Sequence, residues 1–367
     1  MLLVGRACPS PPPTGCKTSC SGGAPGRTRP TCITGNIGMH RARIPPGLNA
    51  RQSPFPRAFS SAMSTPPSLP TMMKGAVFLR RLASTAVLWT TILTALFSGY
   101  ESLSNAVFIV ILLALGTSGL WEFYDLAGKR GYPCYRGWGI FGGLLLLFST
   151  FLWLTQRLGP VLQPAKANDF ETGFLVLFVL GLCLRQFFNR ENPDGLLAIS
   201  VTLFGLMYVP WLLNFLQKIT FHPKLGGDGK FYLLYFIVVT KFSDIGAYVV
   251  GSMIGKHKMI PRISPGKTWE GFAGAILVST GVSLLFAHLA GSHLYGMNFL
   301  HALILGILLS VSAVLGDLIE SLFKREAGVK DSGRLFPGIG GILDLLDSLL
   351  FNAPLMYLYL RHVLTHP

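Results

Sequence analysis

The sequence predicts an all-α membrane protein, a polytopic bundle of about nine transmembrane helices with its N-terminus in the cytoplasm. Half of the 367 residues are hydrophobic, only 13% are charged, and the mean hydropathy is +0.50. Soluble domains carry about 25% charged residues. A helix needs about 20 apolar residues to cross the roughly 30 Å hydrocarbon layer. Lipid is therefore the solvent for most of the chain, and every backbone group in a span must bond internally.

Nine apolar runs have about the length of a membrane span, and the charges between them predict the orientation. With the N-terminus inside, the segments that follow even-numbered spans carry most of the Lys and Arg, whereas the outer segment 288–298 has neither. This bias follows the positive-inside rule. The loop 217–230 is an exception, because it holds three lysines. The predicted spans lie near 82–99, 104–126, 138–156, 172–189, 196–216, 231–252, 271–290, 298–320 and 341–360.

Residues 1–74 are predicted to form a disordered basic leader, followed by a transmembrane domain at 75–367. The leader is rich in Pro, Gly, Ser and Arg and shows no apolar period. It resembles an organelle transit peptide. The favoured alternative is an upstream extension with a true start near Met63, Met72 or Met73. Its four cysteines lack paired C-x2-C spacing, so we expect no zinc site.

The net charge of +15 is concentrated at the N-terminus and gives little support to nucleic-acid binding. Residues 1–100 hold eleven Lys or Arg and no Asp or Glu. The remaining 267 residues hold twenty basic and sixteen acidic groups, a net charge of only +4. We therefore expect no nucleic-acid partner.

Carboxylates in the last two predicted spans are the strongest functional signal. Asp344 and Asp347 lie in the apolar stretch GGILDLLDSLLF, and their i,i+3 spacing places them on one helix face. Asp317 ends the preceding apolar run. Ionisable groups inside a membrane are costly and indicate function. Because Mg²⁺ prefers oxygen ligands and shares them with phosphates, these three aspartates predict a metal site.

Polar residues between these spans are suited to phosphate groups. Ser321 lies one helical turn after Asp317, and a basic segment follows it. The competing explanation is an internal network of ion pairs between these carboxylates and Lys or Arg, but a purely structural network would not justify the cost of the intramembrane aspartates. The candidate phosphate-binding cations here are Lys324, Arg325, Lys330 and Arg334.

A second polar group lies around the sixth predicted span and the loop after it. Asp244 is in the middle of that span, and the loop ends in SPGKTW, which contains Ser264 and Lys267. These residues are expected to bind phosphate at the start of the next helix, where free amides and the helix dipole favour anions. The GKT string is not a P-loop, because Pro261 replaces the first glycine and no strand is predicted before it. Glu122 and Asp125 have two interpretations, as acids that face the polar cavity or, the favoured one, as interfacial residues.

The two groups together resemble the phosphatidate cytidylyltransferase (CDP-diacylglycerol synthase) family over roughly residues 80–365. The family pattern has Ser, Lys-Arg, Lys-Asp, Pro-Gly-His-Gly-Gly, and Asp-Arg followed by a further Asp. This sequence departs from the pattern at two positions. It has Ile339 in place of the His and Leu345 in place of the Arg. The pattern stands here as Ser321, Lys324–Arg325, Lys330–Asp331, Pro337–Gly338, Gly340–Gly341, Asp344 and Asp347, and GKHKMIPRISPGKTWEGFAG also resembles the family.

The resemblance implies transfer of CMP from CTP to phosphatidate in the membrane, with release of pyrophosphate. It implies Mg²⁺, as one or two ions, and a site that faces the cytoplasm of a bacterial inner membrane, or an organelle membrane if the leader is a transit peptide. Homodimer formation stays open. The implied catalytic residues are Asp317, Asp344, Asp347 and Lys324, with the three aspartates on the metal, and the implied substrate-binding residues are Ser264, Lys267, Ser321, Arg325, Lys330, Asp331 and Asp244.

Three alternatives remain at this point. A related CTP-dependent lipid or polyprenol kinase would transfer only a phosphate to its lipid. A transporter could also bury acids in a helical bundle. The departures at Ile339 and Leu345 also leave open an inactive paralogue.

Overall fold

The computed structural model describes residues 90, 93–94, 97, 99–156, 164–189, 194–329, 332–333 and 340–365. The chain divides into two units, Met1–Pro67 and Ser68–Pro367, and every described residue belongs to the second. The predicted leader and nearly all of the first predicted span lie outside the described residues. Both therefore stay predictions.

Helices make up most of the described chain and strands very little of it, which confirms the predicted fold class. Eight helical spans of the described part are long and apolar enough to cross a membrane. One span consists of two helices, α4 and α5, joined by a π-helical segment at Met207–Trp211 that contains Pro210. The helices are α1 Glu101–Lys129, α2 Arg136–Leu154, α3 Pro164–Phe188, α4 Gly195–Leu206, α5 Leu212–Thr220, α6 Gly229–Ile254, α7 Trp269–Ala290, α8 Phe299–Glu326 and α9 Ile342–Tyr359.

These eight spans correspond to the second to ninth predicted spans. The main difference is at α8, which continues to Glu326 although the apolar run was expected to end near 320. Glu, Lys and Arg are good helix formers, so a helix can continue after its apolar run has ended. The extension places Lys324 and Arg325 in the last turn of α8.

A chain whose spans each cross the membrane once alternates in direction, so we expect the connections to fall into two groups. The basic side holds the connections α1–α2, α3–α4, α6–α7 and α8–α9, and the opposite side holds the others. Contacts within each group agree with this arrangement. On the basic side, Arg325 Nε donates to the Ile263 oxygen at 3.2 Å. On the opposite side, Tyr232 Oη donates to the Tyr295 oxygen at 2.5 Å.

A short antiparallel hairpin precedes α7, where the sequence predicted no strand. Its strands are β1 Lys258–Ile260 and β2 Ser264–Thr268. Strands of three and five residues in a polar loop leave no clear alternation of apolar residues to detect. Thr268 ends the hairpin and caps α7, because its Oγ1 accepts from the Gly271 amide at 3.1 Å.

Helices α6 and α7 approach each other closely through small residues. A Cβ at Gly274 would lie 2.4 Å from Val250 Cβ, and one at Gly246 would lie 2.8 Å from the Gly274 oxygen. Close backbone approach at small residues is a common basis for helix association in membranes. The contact fixes Asp244, on α6, relative to the hairpin and the start of α7.

A buried ion pair joins α3 to α5 near the opposite side. Lys218 Nζ lies 2.6 Å from Glu171 Oε2, and the two side chains are 4% and 5% exposed. Asn214 Nδ2 donates to the other Glu171 oxygen at 2.7 Å. Lys218 was one of the lysines that broke the predicted charge bias of loop 217–230. Its burial in a pair with an acid accounts for one of the three lysines of that exception, because Lys218 adds no free charge to the outer surface.

We expect Lys218→Met to destabilise the protein by about 3 kcal/mol, because it leaves the Glu171 carboxylate buried without a cation. Glu171→Gln combined with Lys218→Met should recover most of this loss, since it removes both charges. Thermal unfolding in detergent measures the effect, and Asp169→Asn, at an exposed position of α3, is the control. A single variant as stable as the unmodified protein would contradict the proposed cost.

Candidate active site

Three carboxylates from α8 and α9 form an acidic cluster. One oxygen each of Asp317, Glu320 and Asp347 lies within 4.8 Å of the others. Glu320 and Asp347 are 1% and 8% exposed, whereas the Asp317 side chain is 37% exposed. The i,i+3 spacing of Asp317 and Glu320 places both on one face of α8.

A glycine allows the helices that carry this cluster to approach each other. A Cβ at Gly316 would lie 2.7 Å from the Asp347 backbone oxygen. Any larger residue would therefore push α9 away from α8. The position directly before Asp317 thus brings the two helices close enough for their carboxylates to meet.

Asp344 lies beside this cluster and binds other groups. Its Oδ1 accepts from Lys324 Nζ at 2.7 Å, and its Oδ2 accepts from the Gly341 amide at 2.8 Å. Lys324 Nζ also contacts Glu320 Oε2, so the lysine joins Asp344 to the cluster. Of the three aspartates predicted to bind metal, the structure brings Asp317 and Asp347 together with Glu320. The metal role of each of them stays a prediction.

Acids outnumber the lysines that pair with them at this site. Lys267 Nζ lies 2.7 Å from Asp317 Oδ2, and Lys324 contacts Glu320 and Asp344. Among the described residues, four carboxylates therefore share two ammonium groups, a formal charge of −2 when all are ionised. The four carboxylates are those of Asp317, Glu320, Asp344 and Asp347.

This donor set fits a divalent cation. Buried charges need compensation, and a single Mg²⁺ carries the charge that the site lacks. Glu320 Oε1 is buried and has no hydrogen-bond partner among the described residues. Three carboxylate oxygens within 4.8 Å of one another match the oxygen ligands that Mg²⁺ prefers.

Lys241 and Asp244 of α6 form a neutral pair next to α9. Lys241 Nζ lies 3.3 Å from Asp244 Oδ2 and 2.9 Å from the Leu345 oxygen. Ser348 Oγ completes the contact by donating to Asp244 Oδ2 at 3.0 Å. Leu345 occupies the position of an arginine in the resembled pattern, and here its carbonyl oxygen accepts from the Lys241 cation.

A cavity of about 430 Å³ lies between α6, α7, α8 and the hairpin. Asp244, Ser264, Lys267 and Asp317 line it, together with glycines and apolar residues. Its volume is in the range of small-molecule sites. Two amides at the start of α7 are already bonded, Trp269 to the His257 oxygen and Gly271 to Thr268. The cavity therefore offers a phosphate mainly side-chain groups, and fewer free amides than the sequence led us to expect.

The remaining predicted residues are placed as follows. Ser321 Oγ lies 3.4 Å from Asp317 Oδ1 and is close to the cluster. Arg325 is exposed, and its guanidinium donates to the backbone oxygens of Ile263 and Val329. Lys330, Asp331 and Arg334 lie outside the described residues.

Sequence reasoning did not assign Glu320 or Lys241 to the site. Glu320 follows Asp317 by three residues, which is the same spacing that identified Asp344 and Asp347. That signal was available and could have been used. Lys241 precedes Asp244 by three residues, but its contact with Leu345 joins positions 104 residues apart, and nothing local in the sequence shows it.

Fold and site together define an integral membrane protein whose buried acids and neighbouring lysines could bind a metal and phosphates. Residues 80–363 match the model of the cytidylyltransferase family, and the chain belongs to that family. The phosphatidate cytidylyltransferase of Haemophilus influenzae is 33% identical over 289 residues, which cover 75% of this chain and 96% of the relative. Those of Staphylococcus haemolyticus and Staphylococcus epidermidis are 46% and 47% identical over 223 residues, covering 60% of this chain and 78% of each relative. The predicted family is thereby confirmed.

We expect Glu320→Gln to weaken Mn²⁺ binding about tenfold, because it removes one of three clustered carboxylates. Electron paramagnetic resonance of the purified protein, titrated with Mn²⁺ in place of Mg²⁺, measures the affinity. Glu326→Gln is the matched control, since Glu326 is exposed on the same helix. Equal Mn²⁺ affinity in the two variants would exclude Glu320 from a metal site.

Proposed function

We propose that this protein transfers CMP from CTP to phosphatidate and so produces CDP-diacylglycerol and pyrophosphate. The relatives named as phosphatidate cytidylyltransferases support this reaction, and so does membership of the cytidylyltransferase family. The structural observation that carries the proposal is the acidic cluster with its lysines beside a cavity within the membrane spans. A reaction between two phosphate-bearing substrates needs such a combination of metal ligands and cations.

The cluster would hold Mg²⁺ through Asp317, Glu320 and Asp347, with Asp344 next to it. When bound, Mg²⁺ supplies positive charge against the phosphate oxygens, and two ions would act on both the attacking and the leaving oxygens. Asp344 is the candidate ligand for a second ion once Lys324 moves away from it. These assignments retain the three predicted aspartates and add Glu320.

In the proposed reaction, a phosphate oxygen of phosphatidate attacks the α-phosphorus of CTP. A new P–O bond forms, the bond to the β-phosphate oxygen breaks, and its electron pair leaves with pyrophosphate. Such transfers depend on positioning and on stabilising charge more than on covalent catalysis. Lys267 and Lys324 each lie against a carboxylate, at 2.7 Å from Asp317 and Asp344. Each can turn to a substrate phosphate when metal neutralises its carboxylate.

The cavity provides a site at the polar–apolar boundary for a lipid phosphate. Ser264 and Lys267 line its polar part, and Phe272 and Tyr248 contribute aromatic walls. Tyr248 is 77% exposed on the outside of α6, where it would face lipid. We propose that phosphatidate enters from the bilayer on this side with its headgroup towards Lys267, while Asp244 shapes the cavity.

We also propose that the basic side faces the cytoplasm of a bacterial inner membrane. The connections there are rich in Lys and Arg, as the positive-inside rule requires. CTP would then reach the site from the compartment in which nucleotides occur. Homodimer formation stays a prediction.

Labelled CTP tests the reaction and separates it from its closest rival. With phosphatidate and Mg²⁺, label from the α-phosphate should appear in the lipid, and label from the γ-phosphate should appear in pyrophosphate. Asp347→Asn should lower the rate at least about a hundredfold, because it removes a metal ligand and its charge. Glu101→Gln is the control. Glu101 is exposed and far in sequence from the acidic cluster, so this variant should leave the rate unchanged.

Transfer of γ-label to the lipid would instead show a lipid kinase. A protein that is folded and inserted but moves neither label would contradict the proposed enzyme. Near-normal turnover by Asp347→Asn would refute the metal assignment while leaving the reaction itself intact.

A further inference from the structure

Glu122 is a buried acid of α1 that the proposed reaction does not use. Its side chain is 6% exposed. The carboxylate lies against the first turn of α9. Its Oε1 accepts from the Ile342 amide at 2.9 Å, and its Oε2 accepts from the Leu343 amide at 2.9 Å. Ser332 Oγ also donates to Oε2, at 3.1 Å. A carboxylate from the first described span therefore binds the beginning of the last one.

Carboxylates bind three successive amides at this helix start. The first amides of a helix have no partner within the helix. The Gly341 amide donates to Asp344, and the next two amides donate to Glu122. Negative charge at a helix N-terminus is favoured by the helix dipole. This end of α9 is therefore fixed by side chains and has none of these three amides free for a substrate phosphate.

The surroundings of Glu122 leave room for its two oxygens and little more. A Cβ at Gly333 would lie 2.2 Å from Glu122 Oε1, and one at Gly341 would lie 2.4 Å from Oε2. The missing side chains on both sides allow the carboxylate to reach the backbone. The chain is therefore built closely around Glu122, which places α9 relative to α1.

The position of α9 determines whether the acidic cluster can form. Asp347 follows Leu343 by one helical turn, about 6 Å along the helix axis. A shift of the first turn would carry Asp347 with it, while Asp317 and Glu320 stay on α8. Small misplacements in such sites have large effects, since about 1 Å can cost about a hundredfold in rate.

We propose that Glu122 is a positioning residue that sets the place of α9, so that Asp347 meets Asp317 and Glu320 around one divalent cation. This inference rests on the proposed function and adds a residue that acts on the metal site through the backbone of α9. It predicts that changes at Glu122 alter metal affinity although Glu122 does not touch the metal.

Glu122→Gln tests this proposal in the full-length protein. The glutamine amide nitrogen only donates, so it cannot replace the oxygen that binds the second backbone amide. We expect about tenfold weaker Mn²⁺ binding by electron paramagnetic resonance, and an equal rise in the Mg²⁺ concentration for half-maximal CMP transfer. Glu122→Asp keeps both oxygens on a shorter side chain. Its Mn²⁺ affinity should therefore lie between that of the unmodified protein and that of Glu122→Gln.

Asp125→Asn is the matched control. Asp125 lies one turn further along α1, and its partly exposed side chain pairs with Lys129 at 2.7 Å. This variant should keep the metal affinity of the unmodified protein. A purely structural Glu122 would lower the yield or the thermal stability but leave the metal affinity of the folded molecules unchanged.

A folded Glu122→Gln protein with unchanged Mn²⁺ affinity would overturn the proposal. If that variant does not fold, Glu122→Asp decides in the same way, with weaker Mn²⁺ binding in support and unchanged binding against. Because Mn²⁺ binding is measured without substrates, the result is independent of the reaction. Weakened binding together with no transfer of α-label by the unmodified protein would support positioning by Glu122 and refute the proposed function.

Discussion

The structure depends on the burial of several carboxylates between two membrane helices. Asp317, Glu320 and Asp347 have oxygens within 4.8 Å of one another, and two of these residues are almost fully buried. Like charges at this distance repel, and removing them from water is costly. Lys267 and Lys324 offset part of this charge. One divalent cation would offset the remaining formal charge of −2, and this match supports the proposed metal site.

The buried pair Glu171–Lys218 shows what a structural use of charge looks like in this protein. One acid there faces one lysine at 2.6 Å, and the formal charges cancel. At the active site the acids outnumber the lysines in contact with them, and a cavity of about 430 Å³ lies alongside. Ion pairs are present at this site as well, such as Lys267–Asp317 and Lys324–Asp344. The excess of acids over lysines, more than the mere presence of buried acids, is therefore the observation that supports the proposed metal site.

The sequence predicted the spans well because length and hydrophobicity decide them, and eight of the nine agree with described helices. It also pointed to Asp317 and Asp347, which the structure brings together, because aspartates in apolar runs stand out; their role as a site stays a prediction. It missed contacts between distant residues, such as Glu122 with Ile342 across 220 positions, because no local pattern records them. The hairpin before α7 was too short to detect. The leader at 1–74 and the residues Lys330 and Asp331 lie outside the described residues. The disorder of the leader and the substrate-binding roles of the two residues therefore stay predictions.

We propose that the acidic cluster and CTP share one metal ion. Electron–nuclear double resonance of the purified protein with Mn²⁺ and CTP tests it most directly, because phosphorus coupling reports phosphate oxygens bound to the metal. We expect phosphorus coupling in the unmodified protein, and we expect Asp317→Asn and Asp347→Asn to lose both this coupling and the bound Mn²⁺. Mn²⁺ bound to the unmodified protein without phosphorus coupling, or coupling that persists unchanged in the two variants, would show that the cluster and CTP do not share an ion.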